Sequence, residues 1–220
     1  MANGRLVDLV TFVGVFDPRE NTSFLLAAPH VLQVESSFGE AMQFGEFMTE
    51  RGQGRIVSVP RNQMDLIIEH ERIEVRRRYP GTSVIEASSQ MARLFSVALE
   101  TLTVDPKEVP WLRTGYNFVL SVPTDEIAIV QLARGLFSKD FLDKLEYPIK
   151  GAATWLWLEA GQALLWLKLE PNRNDPAASK MTVTANFLEE GGTLVPREAI
   201  ESKLTGYLAK LNELLDRIAL

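Results

Sequence analysis

Residue types that usually carry catalysis are few in this chain. It has no cysteine and two histidines, His30 and His70, so a thiol nucleophile, a thiolate metal site and disulfide bonds are excluded. Residues 70–74, HERIE, share their order with the zinc-binding HExxH helix, but Glu74 stands in place of the second histidine. We therefore predict no metal site and no cofactor.

Nucleophilic catalysis has no recognisable pattern either. No serine lies in a nucleophile-elbow motif, and a Ser-His-Asp arrangement would have to use one of the two histidines. Carboxylate catalysis stays open, because the 29 acidic residues allow many pairs and the sequence does not show which of them converge. The catalytic residues are thus unknown, and we expect a protein that is not an enzyme.

Arginine is concentrated between residues 51 and 78, where seven arginines accompany four acidic residues. The run Arg76, Arg77 and Arg78 could bind an anion, because guanidinium groups suit phosphate oxygens. A nucleic acid or another phosphate is therefore one candidate partner. We favour the alternative of a solvated strand whose arginines pair with carboxylates of the same hairpin, because the formal net charge of the chain is −6.

Three of the four tryptophans lie in residues 152–170, AATWLWLEAGQALLWLKLE, whose alternation predicts two strands around a turn at residues 159–162. We predict Trp155 opposite Trp166, and Trp157 opposite Leu164. One face of this hairpin is then apolar and belongs to the core. The other face, here called the tryptophan face, carries Trp155, Trp157, Leu164, Trp166 and Lys168.

An exposed aromatic face with a polar rim is typical of a site for a protein or a small ligand. Our main hypothesis is a non-enzymatic protein-interaction or assembly subunit that uses the tryptophan face for a protein partner or for self-association. The alternative is a small-ligand-binding protein with a tryptophan-lined pocket. The competing structural interpretation is that residues 21–50 cover this face, because tryptophans are mostly buried in proteins.

The alternation of apolar residues predicts strands at residues 6–16, 55–59, 64–69, 72–78, 116–122, 152–158, 163–169 and 181–188. In the first hairpin, a turn at residues 70–71 puts Leu66 opposite Val75. Helices are predicted after Ser83, which forms a capping-box pattern with Glu86, and from Pro196 onwards. A weaker helix fits residues 125–137, and residues 21–50 show no clear pattern.

The predicted fold class is α+β, a largely antiparallel sheet with long helices packed on one face. Residues 1–220 are expected to form a single compact unit. Each of the halves 1–108 and 109–220 contains an opening strand, a helical or irregular segment, a hairpin and a long helix. Two topologically similar halves are therefore a further hypothesis.

The composition, with 46% hydrophobic and 24% charged residues, is typical of a soluble globular protein. No run of about 18 uncharged apolar residues occurs, so we expect no membrane-spanning helix. The apolar run at residues 6–16 is interrupted by Asp8 and is followed by no cleavage pattern, which favours a strand over a signal peptide. We expect a cytoplasmic protein without a membrane partner.

Overall fold

The computed structural model describes residues 4–16, 28–49, 52–69, 71–79, 84–101, 111–124, 153–172, 175, 179–191 and 197–217. The strands are β1 (Leu6–Phe16), β2 (Gln43–Thr49), β3 (Gly52–Val59), β4 (Met64–Glu69), β5 (Arg72–Arg78), β6 (Trp111–Pro123), β7 (Thr154–Ala160), β8 (Ala163–Pro171) and β9 (Lys180–Glu190). The helices are α1 (Ala28–Phe38), α2 (Val84–Thr101) and α3 (Arg197–Arg217). The described part of the chain is therefore mixed α+β.

All nine described strands belong to one antiparallel sheet in the order β2-β3-β4-β5-β1-β6-β9-β8-β7. The opening strand β1 pairs with β6 at the centre, although about a hundred residues separate them in the sequence. From β1 the sheet continues through β5, β4 and β3 to β2. From β6 it continues through β9 and β8 to β7, so β2 and β7 are the edge strands of the described sheet.

The first hairpin, β4 and β5, has the predicted register. Leu66 lies opposite Val75 and Asp65 lies opposite Arg76. Alternating apolar residues determine this register, because a slip by one residue would turn every buried side chain towards the other face. Leu66 and Val75 are fully buried as a result.

Aromatic side chains connect two helices to the centre of the sheet. Phe12 of β1 pairs with Tyr116 of β6, which pairs with Phe187 of β9, so the three side chains share one face. Phe95 of α2 meets Phe12 edge-on with ring centroids 4.8 Å apart. Tyr207 of α3 stacks on Phe187 with ring centroids 4.4 Å apart. These aromatic contacts form the middle of the core.

The fourth tryptophan, Trp111, is a core residue. Its side chain is 4% exposed and meets Phe16 and Phe95 with ring centroids 5.9 and 6.3 Å away. Its ring lies against Gly14, where an added Cβ would be 2.2 Å from the Trp111 Cζ3 atom. The glycine thus leaves the space that the indole ring fills.

The structure confirms an α+β fold built on a large antiparallel sheet. Two elements, α1 and β2, lie in residues 21–50, where no clear pattern of apolar residues predicted them. The helix predicted at residues 125–137 and the predicted capping residue Ser83 lie outside the described residues. None of the described helices is both long and apolar enough to cross a membrane.

Candidate functional site

The tryptophan hairpin consists of β7 and β8, and its register differs from the predicted one. Trp157 lies opposite Trp166, and Trp155 lies opposite Lys168. The prediction placed Trp166 opposite Trp155, and this was wrong by two residues. The reason is the turn: β7 continues to Ala160, and Gly161 takes the first turn position with a φ of +74°, which glycine adopts without strain.

The register error leaves the faces unchanged, because side chains alternate with a period of two. All five predicted residues of the tryptophan face therefore lie on one side of the hairpin. Trp155 meets Trp166 edge-on with ring centroids 5.3 Å apart, and Trp157 is tilted against Trp166 at 6.5 Å. The three indoles form one contiguous aromatic cluster with Trp166 at its centre.

A charged pair borders the cluster. The Lys168 Nζ atom lies 5.4 Å from the Trp155 ring centroid, and it is 2.9 Å from the Glu170 Oε1 atom. An ammonium group over an indole face is attracted by the negative face of the ring. Lys168 therefore contacts Trp155 from one side and pairs with Glu170.

The two tryptophans on β7 are exposed to a degree that is unusual for this residue type. Trp157 is 65% exposed and Trp155 is 59% exposed, whereas Trp166 on the neighbouring strand is half-buried. On the opposite face of the same strand, Leu156 is also exposed. Edge strand β7 thus presents large apolar side chains on both of its faces.

The described residues of segment 21–50 do not cover the tryptophan face. Helix α1 contacts α2, and the Arg93 guanidinium of α2 lies 5.0 Å from the Phe38 ring of α1. Strand β2 pairs with β3 at the edge of the sheet opposite β7. Residues 21–27 and 50 lie outside the described residues.

Two asparagines extend the tryptophan face towards the centre of the sheet. Trp166 pairs with Asn186 of β9, which pairs with Asn117 of β6. The Oδ1 atoms of both asparagines are buried and have no hydrogen-bond partner among the described residues. A buried amide oxygen without a donor is costly, and both oxygens are shielded from the surface, so this row is a polar feature of the sheet and not a contact for a ligand.

The arginine run does not form one surface. Arg76 and Arg78 each donate to the Asp65 carboxylate at 2.9 Å, and Ser58 donates to it at 2.7 Å. Arg77 points to the opposite face of β5, where it donates to Gln90 of α2. The structure therefore brings Arg76 and Arg78 together on a carboxylate and separates Arg77 from them.

In the hairpin of β4 and β5, nearby carboxylates offset much of the positive charge of the arginines. Burial alone would raise the pKa of Asp65, but hydrogen bonds from Ser58 and Arg76 and the charges of Arg76 and Arg78 outweigh burial, and the pKa lies below its ordinary value. Burial raises the pKa of Glu74 despite the nearby charges of Arg72 and Arg76. Two of the predicted anion-binding arginines thus already have a carboxylate partner.

A polar cluster around Glu189 was not predicted from the sequence. The Glu189 carboxylate accepts hydrogen bonds from the Tyr207 hydroxyl, from the Lys203 ammonium and, at 3.3 Å, from the Thr114 hydroxyl. Burial would raise the pKa of Glu189, but the hydrogen bonds from Lys203 and Tyr207 lower it below its ordinary value. Tyr207 could have indicated this cluster, because a tyrosine within an apolar helix stripe needs a partner for its hydroxyl.

The histidines do not form a metal site in the described structure. His30 lies half-buried in α1, and His70 lies outside the described residues. Among the residues that the structure describes, no three His, Cys, Asp or Glu side chains are grouped so that they could hold a metal ion.

No protein-family model and no curated protein matches this chain. The function proposed for this chain is therefore inferred from the geometry of the tryptophan face.

Proposed function

We propose that this chain is a non-enzymatic interaction or assembly subunit that docks a protein partner on the tryptophan face and on edge strand β7. The observation that carries the proposal is the exposure of Trp157 and Trp155 at 65% and 59% on an edge strand. Exposed strand edges pair readily with another chain, and aromatic side chains beside them supply the specific contacts.

The placement of the helices supports this proposal. The contacts of α2 with Phe12 and of α3 with Phe187 lie on the sheet face opposite the tryptophans. We infer that the long helices pack on that face, which is the arrangement expected from the sequence. The tryptophan face is then the side of the sheet from which a partner approaches.

The two-halves hypothesis receives support from equivalent contacts. Phe12 on the central strand β1 meets Phe95 of the helix that ends the first half, with ring centroids 4.8 Å apart. Tyr116 on the central strand β6 meets Tyr207 of the helix that ends the second half at 5.1 Å. In each half the sheet also runs outward from the opening strand in reverse sequence order. In this scheme β7 is equivalent to β3, and β2 has no counterpart among the described strands of the second half.

A partner that covers both exposed tryptophans would gain substantial binding free energy. Truncation of a central aromatic residue in an interface typically costs about 2 kcal/mol or more of binding free energy. Leu164, 38% exposed beside the tryptophans, would widen the apolar contact. Lys168 would contribute at the polar rim.

Substitution of the tryptophans tests the proposal. Trp155→Ser and Trp157→Ser should abolish retention of the partner from an extract of the source cells by the immobilised protein. The matched control is Ile85→Ser on α2, because Ile85 is 67% exposed and lies outside the proposed site. The proposal fails if the tryptophan variants fold normally and retain the same proteins as the wild type.

A second candidate function is binding of a small ligand. The exposed indoles of Trp155 and Trp157 favour it, because a flat ligand can stack on them. A thermal-shift screen in which no sugar or heterocycle raises the melting temperature of the protein would count against this candidate.

A further inference from the structure

We infer that the partner of edge strand β7 is a second copy of this chain, and that the two β7 strands pair antiparallel around a two-fold axis at Trp157. The inference rests on the proposed function and names its partner. It follows from three independent features of β7: the direction of its main-chain groups, the repeat of its side chains, and the position of its charges.

Main-chain geometry selects the register. In a two-residue hairpin turn the carbonyl of Ala160 accepts from the N–H of Ala163, so residues 154, 156, 158 and 160 direct their main-chain groups towards β8. The N–H and C=O groups of Trp155, Trp157 and Glu159 point away from β8. Among the described residues no strand pairs with this side of β7. Pairing around Trp157 is the register that satisfies all three residues at once.

The side chains of β7 complement themselves in this register. Trp157 meets Trp157 of the second copy on the tryptophan face. On the helix face, Leu156, which is 36% exposed, meets the half-buried Leu158 of the second copy. Six tryptophans from the two chains would then form one continuous aromatic surface.

Charges complement each other in the same register. Trp155 lies opposite Glu159 of the second copy, and the Lys168 ammonium lies over the Trp155 ring. Glu159 is exposed and has no ion-pair partner among the described residues. Each Trp155 would therefore separate a lysine from a glutamate of the other chain, and the two-fold axis repeats this arrangement.

The two-fold axis also limits the assembly to two copies. Pairing of β7 with β7 uses the same surface on both chains and closes, whereas pairing of β7 with β2 would propagate into a fibre. The dimer would contain one continuous antiparallel sheet formed by both chains. Such closure removes the aggregation hazard that a seven-residue apolar edge strand presents.

Sedimentation of charge variants tests the inference. The wild type should sediment at micromolar concentration with twice the 24.7 kDa mass of the chain. Trp157→Lys places two lysines directly opposite each other at the two-fold axis, and Trp157→Glu places two glutamates there, so each variant alone should dimerise about tenfold more weakly. An equimolar mixture of the two variants should restore dimerisation, because lysine then meets glutamate between unlike chains.

The matched control is Glu100→Lys, a charge reversal at an exposed position of α2, which should leave the dimer unchanged. Dimerisation that neither Trp157→Lys nor Trp157→Glu weakens, or that the mixture fails to restore, would overturn the inference. A wild type that stays monomeric while acrylamide quenches its tryptophans would also overturn it, and would leave the proposed function with a different protein partner. Tryptophans that stay unquenched in the monomer would contradict both.

Discussion

Individual residues in this protein are stabilised by local polar networks as much as by the apolar core. Asp65 of β4 and Glu189 of β9 are carboxylates that each accept three hydrogen bonds from neighbouring side chains. Ionic hydrogen bonds of this kind are stronger than neutral ones, and the loss of one partner leaves the other incompletely satisfied. Both carboxylates therefore have an evident role in stabilising the fold.

The Glu189 cluster predicts a dependence of stability on pH. The pKa of Glu189 in the folded chain lies below its ordinary value of 4.5, so its stabilisation is complete above that value and is lost as the pH falls through the folded-state pKa. Glu189→Gln should lower the free energy of unfolding at neutral pH by about 1 to 2 kcal/mol and should flatten its decline in acid.

Urea denaturation between pH 3 and pH 7 measures this effect. Glu190→Gln is the matched control, because Glu190 is the adjacent and exposed carboxylate on the same strand. The two variants should differ in stability at neutral pH and converge in acid. Equal stability of the two variants at neutral pH would show that the Glu189 hydrogen bonds contribute nothing.

Elements of this fold were predictable where alternation and burial agree. Strands β1, β4 and β5 have the bounds expected from the sequence, because β5 alternates apolar and polar residues and β1 and β4 are mostly apolar runs. Helix α1 was missed because it is short and carries β-branched valines, and its packing against α2 decides its conformation. The register of the tryptophan hairpin was missed because it depends on the conformation of Gly161, which the residue type alone does not determine.

Substitution of alanine for glycine should have opposite effects on stability at Gly14 and at Gly206. Gly14→Ala in β1 should lower the free energy of unfolding by about 1 to 3 kcal/mol, because the new methyl group overlaps the Trp111 ring. Gly206→Ala in α3 should raise it by about 0.5 to 1 kcal/mol, because no heavy atom lies within 4 Å of the added Cβ and alanine favours the helix.

Each glycine variant is the control for the other, and thermal or urea unfolding measures both. Gly14→Ala should also alter the fluorescence of Trp111, whereas Gly206→Ala should leave it unchanged. A stable Gly14→Ala variant with unaltered emission would contradict the contact between Gly14 and Trp111 described above.

At the scale of the whole molecule, the sequence predicts the class of the fold and the composition of the tryptophan face but not the order of the strands. The central pair β1 and β6 joins distant parts of the chain, and such pairing depends on tertiary structure. The edge position of β7 follows from that order. The exposure of Trp155 and Trp157 could therefore be seen only in the assembled sheet.

Acrylamide quenching of tryptophan fluorescence across a dilution series tests whether the tryptophans of β7 form an interaction surface. Trp111 is buried and supplies the unquenched background. This interaction surface predicts red-shifted emission and quenching of Trp155 and Trp157 by acrylamide at dilutions at which the chain is monomeric. Blue-shifted emission that acrylamide fails to quench at every dilution, the monomer included, would contradict it.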